Sequence, residues 1–392
     1  MSGNDRCASR RKVLKATSGA LAMSGIAGVS AGAPAEQLEL NVGFTSRSGR
    51  ATALDVADDV VREFAFDAVT IRAPRQAAER LSDDPNVRYV EENGTMEALA
   101  QTEPWGIDRV DADVAHANGE TGAGADIAIV DTGIDSDHLD LQANLGEGHA
   151  VASCGGGGFI CWFAGNGNAC NESWDDDNDH GTHCAGIANA VNNSEDVVGV
   201  STEATLHAVK VLDCQGSGSY SDIAAGIEYV ADQGWDVGSM SLGGSSSQTV
   251  EDACQYAVDN GVLLVAAAGN SGECTDCVGY PAAYDTVMAV SSTNQDDQLS
   301  SFSSQGPEVE IAAPGSDITS TVPGGTDSFS GTSMACPHVA GAGGQLMADG
   351  ESASQARDTL GSTAEDIGLS ANESGNGLLD VAAALGLDSS DD

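Results

Sequence analysis

The stretch Ser330-Gly331-Thr332-Ser333-Met334-Ala335-Cys336-Pro337-His338-Val339-Ala340-Gly341 decides the fold. A Gly/Ser turn runs directly into an Ala- and Val-rich segment, which predicts a helix over 332–347 with Ser333 at its N-terminus. Unpaired N–H groups and the positive end of the helix dipole meet there, and both favour a developing anion. A serine so placed is either a nucleophile or simply an N-cap. What separates the two readings is the company it keeps elsewhere in the chain.

Two upstream stretches supply that company. Asp126-Ile-Ala-Ile-Val-Asp131-Thr-Gly133 is a short apolar run ending in an acid and a glycine turn. It is predicted as a buried parallel strand that delivers Asp131 to its C-terminal end, where open α/β sheets gather ligand groups. His180-Gly181-Thr182-His183-Cys184-Ala185-Gly186 puts a histidine at the start of another small-residue helix. Serine, histidine and aspartate belong together chemically. A hydroxyl becomes a nucleophile when a neutral imidazole takes its proton, and a carboxylate orients that imidazole and stabilises its charged form. A tetrahedral oxyanion also needs a donor, and Asn270 stands just beyond the predicted strand over 262–268.

With these motifs in place the chain resembles the subtilisin-like serine proteases, and more narrowly the halolysins of extreme halophiles. The matching motifs are Asp131-Thr-Gly, His180-Gly-Thr-His, Ser241-Leu-Gly-Gly, Gly269-Asn270 and Gly331-Thr-Ser333-Met-Ala, in the family's order. The resemblance covers nearly the whole chain from about Glu36 to Leu387. It implies Asp131 as orienter, His180 as base and Ser333 as nucleophile, with Asn270 and the Ser333 backbone N–H as oxyanion hole. It implies a peptide substrate added as a strand between Gly216-Ser217-Gly218 and Ser241-Leu242-Gly243. Gly279 is expected to leave the primary pocket open, and the resemblance implies broad cleavage after large apolar residues. His183 and His338 are expected in helix packing. A Ser-Glu-Asp peptidase of the same fold is argued against by His180 in its full motif. A non-catalytic relative would need a broken triad, and this one is complete.

The resemblance also orders the N-terminal third. Residues 1–35 carry the twin-arginine pattern Ser9-Arg10-Arg11-Lys12-Val13-Leu14-Lys15 before a weakly apolar run, which reads as an export signal. Residues 36–100 have the texture of a small α+β module: strands over 38–44, 69–71 and 87–92, and helical spacing over 54–64 and 77–81. The module is similar to the inhibitor-like propeptide of subtilisins, an intramolecular chaperone cut from the enzyme near Ala100-Gln101. Residues 101–392 are then the peptidase domain. Strands over 205–212, 235–242, 262–268 and 286–291 alternate with helices over 180–190, 221–233, 250–260 and 332–347. That alternation predicts an α/β fold with a mostly parallel sheet covered on both faces. Gly238-Ser239 stands where the family usually carries a β-branched residue and an asparagine.

Charge is the other dominant fact. The chain has 60 acids against 15 bases, a net −45, and from Gln101 onward only Arg109, Lys210 and Arg357 are basic. Binding to nucleic acid or to anionic lipid is excluded on that balance. A folded chain with such self-repulsion is expected to need strong salt. An insertion before His180 contains Cys154, Cys161, Cys170 and the acidic run Asp175–Asp179, read as a solvated surface loop without EF-hand or zinc spacing. Those three cysteines, with Cys274 and Cys277, are candidates for bridges, while Cys184 and Cys336 look like small buried hydrophobes. The family pattern assigns a structural calcium ion to Gln101, Asp140 and Asn193 through side chains, and to Val191, Glu195 and Val197 through carbonyls. The expectation is a secreted, monomeric, self-processing endopeptidase acting on proteins and peptides, with its own propeptide as partner and no stable membrane anchor.

Overall fold

A computed structural model describes residues 37–98, 105–156, 161, 166, 168–193, 196–272 and 274–388. The predicted export signal and the predicted junction at Ala100-Gln101 lie outside the described residues.

The N-terminal module comprises β1 (Gln37–Phe44), α1 (Arg47–Val56), β2 (Asp59–Glu63), β3 (Ala68–Pro74), α2 (Arg75–Ser82) and β4 (Val87–Glu92). Its antiparallel sheet has the order β2-β3-β1-β4. Leu40, Val42, Val69, Ile71 and Leu81 form a small core of its own. One expected helix, over 54–64, is corrected. The helix starts earlier because Ser46 caps it, its hydroxyl accepting the Gly49 N–H, and the chain is already extended at Ala57. Val60-Val61-Arg62 then forms an edge strand on β3, as β-branched residues favour.

Beyond the module come β5 (Thr95–Ala98), α3 (Gly106–Arg109), α4 (Ala112–Asn118), β6 (Asp126–Asp131), β7 (His149–Ala150), α5 (His180–Asn189), β8 (Thr205–Lys210), β9 (Ser217–Ser219), α6 (Tyr220–Gln233), β10 (Val237–Met240), β11 (Leu242–Gly243), α7 (Gln248–Asp259), β12 (Leu263–Ala267) and β13 (Met288–Thr293). The chain continues through β14 (Val309–Pro314), the hairpin β15 (Ile318–Val322) and β16 (Gly325–Phe329), α8 (Thr332–Ala348), α9 (Ala353–Thr363), α10 (Ala371–Ser374) and α11 (Val381–Ala384). The central sheet has seven strands in the order β14-β13-β12-β10-β6-β8-β7, with all its pairings parallel. Ile127, Ile129, Val265 and Val290 face the layer of α5 and α8, while Val130, Val209 and Leu264 face that of α6 and α7. This is the expected α/β architecture, a mostly parallel sheet covered by helices on both sides.

The departure at Gly238 has a packing reason. A Cβ there would stand 2.9 Å from Leu264 Cδ2, so the neighbouring leucine fills the space that a side chain would take. The strand expected over 235–242 is broken at Ser241, whose hydroxyl donates to the Ser333 carbonyl at 2.7 Å. Strand β14 and the β15–β16 hairpin were not anticipated from the sequence; polar residues interrupt them, so neither shows a clean apolar period.

Among the described residues three disulfides form: Cys154–Cys170, Cys161–Cys214 and Cys274–Cys277. Cys184, Cys254 and Cys336 are free and buried. No helix among the described residues is long and apolar enough to cross a membrane.

Candidate active site

Three elements converge on the site. Strand β6 ends at Asp131, and the chain turns away through Gly133, which adopts φ 109°. A Cβ at Gly133 would lie 2.4 Å from the Trp174 carbonyl, so only glycine fits where the insertion crosses. Helix α5 begins at His180, and its imidazole Nδ1 donates to Asp131 Oδ1 at 2.8 Å. Asp131 Oδ1 also accepts the Thr132 N–H at 2.7 Å. Asp131 is fully buried and His180 nearly so.

Ser333 sits in the first turn of α8, and α8 packs on α5. Cys184, one turn along from His180, has its thiol 3.5 Å from the Ser333 carbonyl and 3.9 Å from His180 Nδ1. Ser241 makes a reciprocal pair with Ser333: its hydroxyl donates to the Ser333 carbonyl, and the Ser333 hydroxyl lies 3.4 Å from the Ser241 carbonyl. Asn270 follows β12, and its Oδ1 accepts both the N–H and the hydroxyl of Thr332, each at 3.0 Å. That leaves the amide NH2 as the donor end of Asn270, beside the first turn of α8. The structure thus gathers Asp131, His180, Ser333 and Asn270 at one end of the parallel sheet.

Charge in the site is set by these contacts. Burial disfavours imidazolium at His180, but the Asp131 carboxylate, with Cys184 beside it, outweighs burial and holds the His180 pKa well above the ordinary histidine value. Burial, helped by the charge of His180, pushes His183 down to about 3, and burial pushes His338 to about 4. His183 stacks on Phe329 and His338 bonds the Met334 carbonyl, so both serve packing as expected.

The acidic run before His180 is corrected from a solvated loop to a buried one. Asp175, Asp176 and Asp177 are at most 5% exposed, and every carboxylate is satisfied. Asp176 accepts the Thr132 and Thr182 hydroxyls and the Asn178, Asp179 and Thr182 amides, which fixes the start of α5 on the end of β6. Asp177 accepts the Lys210 ammonium at 2.6 Å and the Gly155 N–H at 2.7 Å. A block of five acidic or amide residues in so acidic a chain gave no sign of burial, because the partners come from distant segments.

Beside the site runs a groove already filled by a strand. Backbone of β5 lies between β9 and β11, antiparallel to both. Met96 pairs with Gly218, Glu97 with Ser217 and Gly243, and Ala98 with Leu242. Gly216, at φ 72°, makes the turn into β9. At Gly279 a Cβ would stand in ordinary contact with the Ala268 carbonyl at 3.8 Å and the Gly244 carbonyl at 4.0 Å.

The N-terminal module docks on the same side. Glu91 accepts the Ser247 hydroxyl at 2.5 Å and the Gln248 and Thr249 amides at 2.8 and 3.1 Å, so it caps α7. Asn93 accepts the Ser221 N–H at 2.9 Å near the start of α6. Arg62 pairs with Asp222 and Arg88 with Asp252.

Away from the site, Asp140 is fully buried. Its carboxylate accepts Asn193 Nδ2 at 2.7 Å and the Val197 N–H at 3.0 Å, and its carbonyl accepts the Val191 N–H at 2.9 Å. Four of the six residues expected around calcium are therefore together, joined here through their N–H groups to Asp140. Gln101 and Glu195 lie outside the described residues.

Residues 122–378 match the model of the Subtilase family. Subtilisin E of Bacillus subtilis (strain 168) is 39% identical over 378 residues, covering 93% of this chain and 94% of that protein. The alkaline protease of Shouchella clausii is 41% identical over 335 residues, covering 84% of this chain and 82% of that protein. Alkaline elastase YaB of Bacillus sp. (strain YaB) is 41% identical over the same length. Motif order, the parallel sheet, the convergence of its strand ends with α5 and α8, and likeness along nearly the full chain agree: the chain belongs to the subtilase family and is a subtilisin-type serine endopeptidase.

Proposed function

We propose that Ser333, His180 and Asp131 form the triad of this endopeptidase, and that the protein is made as a precursor which processes itself. Ser333 Oγ attacks the scissile carbonyl while His180 takes its proton, and the imidazolium so formed is stabilised by Asp131. The tetrahedral oxyanion is met by the Asn270 amide and the Ser333 N–H, assisted by the positive end of α8. His180 then returns the proton to the leaving amine, and water releases the acyl group by the same route. Substrates are proteins and peptides, bound as a strand against Gly216-Ser217-Gly218 and Ser241-Leu242-Gly243, with a large apolar side chain beside Gly279.

The observation that carries this reading is β5. A segment of the chain's own N-terminal third occupies the groove with substrate-like antiparallel pairing, and the chain beyond Ala98 leads toward the predicted junction at Ala100-Gln101. Residues 36–100 are read as an inhibitor-like propeptide, chaperone and then inhibitor of residues 101–392. Residues 1–35 are read as a twin-arginine signal, giving a secreted, monomeric enzyme. The charge of −45 supports a halophilic protein akin to the halolysins.

A structural calcium ion is part of the proposal. Buried Asp140 carries a carboxylate of the kind a hard cation takes, and the amide and loop N–H groups of Asn193 and Val197 that now meet it bring their own oxygens close by in the chain. Asp140 and Asn193 would hold the ion through side chains and Val191 and Val197 through carbonyls, joined by Gln101 and the Glu195 carbonyl. Bound there, the ion ties the loop after α5 to the segment after β6.

Expression of the precursor as wild type and as Ser333→Ala, in strong salt and in a host lacking other proteases, tests the reading. Wild type should mature near Ala100 and clear casein. The variant should remain full-length and inactive, and normal maturation of Ser333→Ala would refute it.

A further inference from the structure

Lys210 is the largest fully buried side chain in the described structure, and the triad chemistry does not use it. It closes β8 directly opposite Asp131 in the parallel register of β6 and β8. Its ammonium has three partners: the Thr132 carbonyl at 2.5 Å, the Asp177 carboxylate at 2.6 Å and the Leu212 carbonyl at 3.1 Å. The Asp131 carbonyl in turn accepts the Val211 and Leu212 amides at 2.9 and 3.1 Å. The ammonium therefore ties together the exits of β6 and β8, through the Thr132 and Leu212 carbonyls just beyond the two strand ends.

We propose that Lys210 and Asp177 are positioning residues, an ion pair that fixes Thr132 by its carbonyl so that Asp131 meets His180 in register. The Thr132 N–H holds Asp131 Oδ1, the same oxygen that receives His180 Nδ1, while the Thr132 carbonyl on the next peptide unit receives Lys210, so displacement of that carbonyl reaches the histidine contact through the Thr132 Cα. Asp177 neutralises a charge that could not otherwise stay in a dry site. Its other oxygen accepts the Gly155 N–H. The sulfurs of Cys154–Cys170, and those of Cys161–Cys214, lie within 4.8 Å of it. The insertion before His180 is thus a bolted outer shell for the pair. Cys161–Cys214 fastens it to the loop that leads into β9, and the Cys214 carbonyl accepts Asn178 Nδ2 two residues before His180.

The inference rests on the triad assignment, and Ser333→Ala tests that assignment separately: an active Ser333→Ala enzyme sinks the triad whatever the pair does. The deciding variant is Asp177→Asn with Lys210→Met, which removes both charges at nearly constant volume and leaves the net charge unchanged. Melting temperature, kcat, KM and the pH profile are measured in the matured enzyme. Expected are a melting temperature near wild type, KM within about twofold and kcat lowered about tenfold or more, since misplacement near 1 Å costs up to about 10²-fold. His180 is faced by Asp131 and Cys184, so a loosened Asp131 contact should also move the acid limb of kcat/KM to lower pH. A folded double variant with wild-type kcat and an unmoved limb overturns the proposal. Should it not fold, Asp177→Glu keeps both charges and shifts the carboxylate by one methylene; lowered kcat supports the proposal and wild-type kcat overturns it.

Discussion

The side-chain carbonyl of Asn270 is held by Thr332 through two hydrogen bonds of 3.0 Å, one from its amide and one from its hydroxyl. Thr332 immediately precedes Ser333, so the proposed oxyanion donor and nucleophile are fixed to the same helix end. Asn270→Ala should lower kcat about 10²–10³-fold and leave KM nearly unchanged, because the lost donor serves the transition-state oxygen. Steady-state kinetics on a peptide anilide decide it; a raised KM with kcat intact would make Asn270 a binding residue.

Activity should fall on acidification at a higher pH than an ordinary histidine would give. Protonated His180 cannot accept the Ser333 proton, and Asp131 holds its pKa well above 6.5 despite burial. The acid limb of kcat/KM should accordingly lie above pH 6.5. In Asp131→Asn burial is opposed by Cys184 without the carboxylate's help, so the limb should move to lower pH while kcat drops about 10⁴-fold. A limb that stays put in Asp131→Asn would show that another group sets it.

Calcium should raise the melting temperature, and chelator should lower it and speed autolysis. An ion bound to the folded state alone stabilises by RT ln(1 + [L]/Kd), about 2.7 kcal/mol at a hundred times Kd. Asp140→Ala should abolish the difference between calcium and chelator. Differential scanning calorimetry with an active-site inhibitor present makes the comparison, and equal melting temperatures for the wild type in the two conditions would refute the site.

The N-terminal module should bind more weakly without Glu91. That carboxylate accepts three hydrogen bonds at the start of α7, whereas the Arg62 and Arg88 ion pairs are partly exposed and contribute little each. At about 1.5–3 kcal/mol for a charged hydrogen-bonding group, Glu91→Ala should raise the inhibition constant of residues 37–98 added to matured enzyme by about 10–100-fold. Arg62→Ala should change it less than about fivefold at molar salt, where exposed pairs are screened. The reverse ranking would show that charge pairing, not helix capping, holds the module.

Fold and activity should both be lost on dilution into low salt. Screening alone would complete recovery well below 1 M, since the Debye length has already fallen to about 10 Å at roughly 0.1 M, with chloride matching sulfate at equal ionic strength. Strengthened apolar burial would continue into molar salt with sulfate ahead. The second pattern is expected, since only 4% of residues are aromatic. Circular dichroism and activity followed together across both salts separate the cases, and full activity without added salt would remove the salt requirement.

The elements that could be read from the sequence were those whose pattern is local. Asp126–Asp131 is an unbroken apolar run, and the glycine- and alanine-rich starts of α5 and α8 announce close packing at His180 and Ser333. The module's first helix was misplaced because its start depends on a single cap, Ser46, which apolar spacing does not register. Burial of Asp175–Asp177 was illegible for a different reason. A carboxylate is buried or solvated according to partners such as Thr132, Gly155 and Lys210, at separations that no local window includes. The Cys161–Cys214 bridge likewise joins residues 53 apart.

The sealed position of Lys210 has a consequence for anyone handling the protein. Lysines occur at 12, 15 and 210 alone, so under the proposed processing near Ala100 the one that remains is the one with no exposed surface. The folded peptidase then offers amine-directed reagents no side chain at all, only the α-amino group at its new N-terminus. Activated esters and aldehydes should attach one label per molecule at one place, and a support charged with such groups would hold every copy in the same orientation. Proteases that cut after lysine would find no exposed target on it.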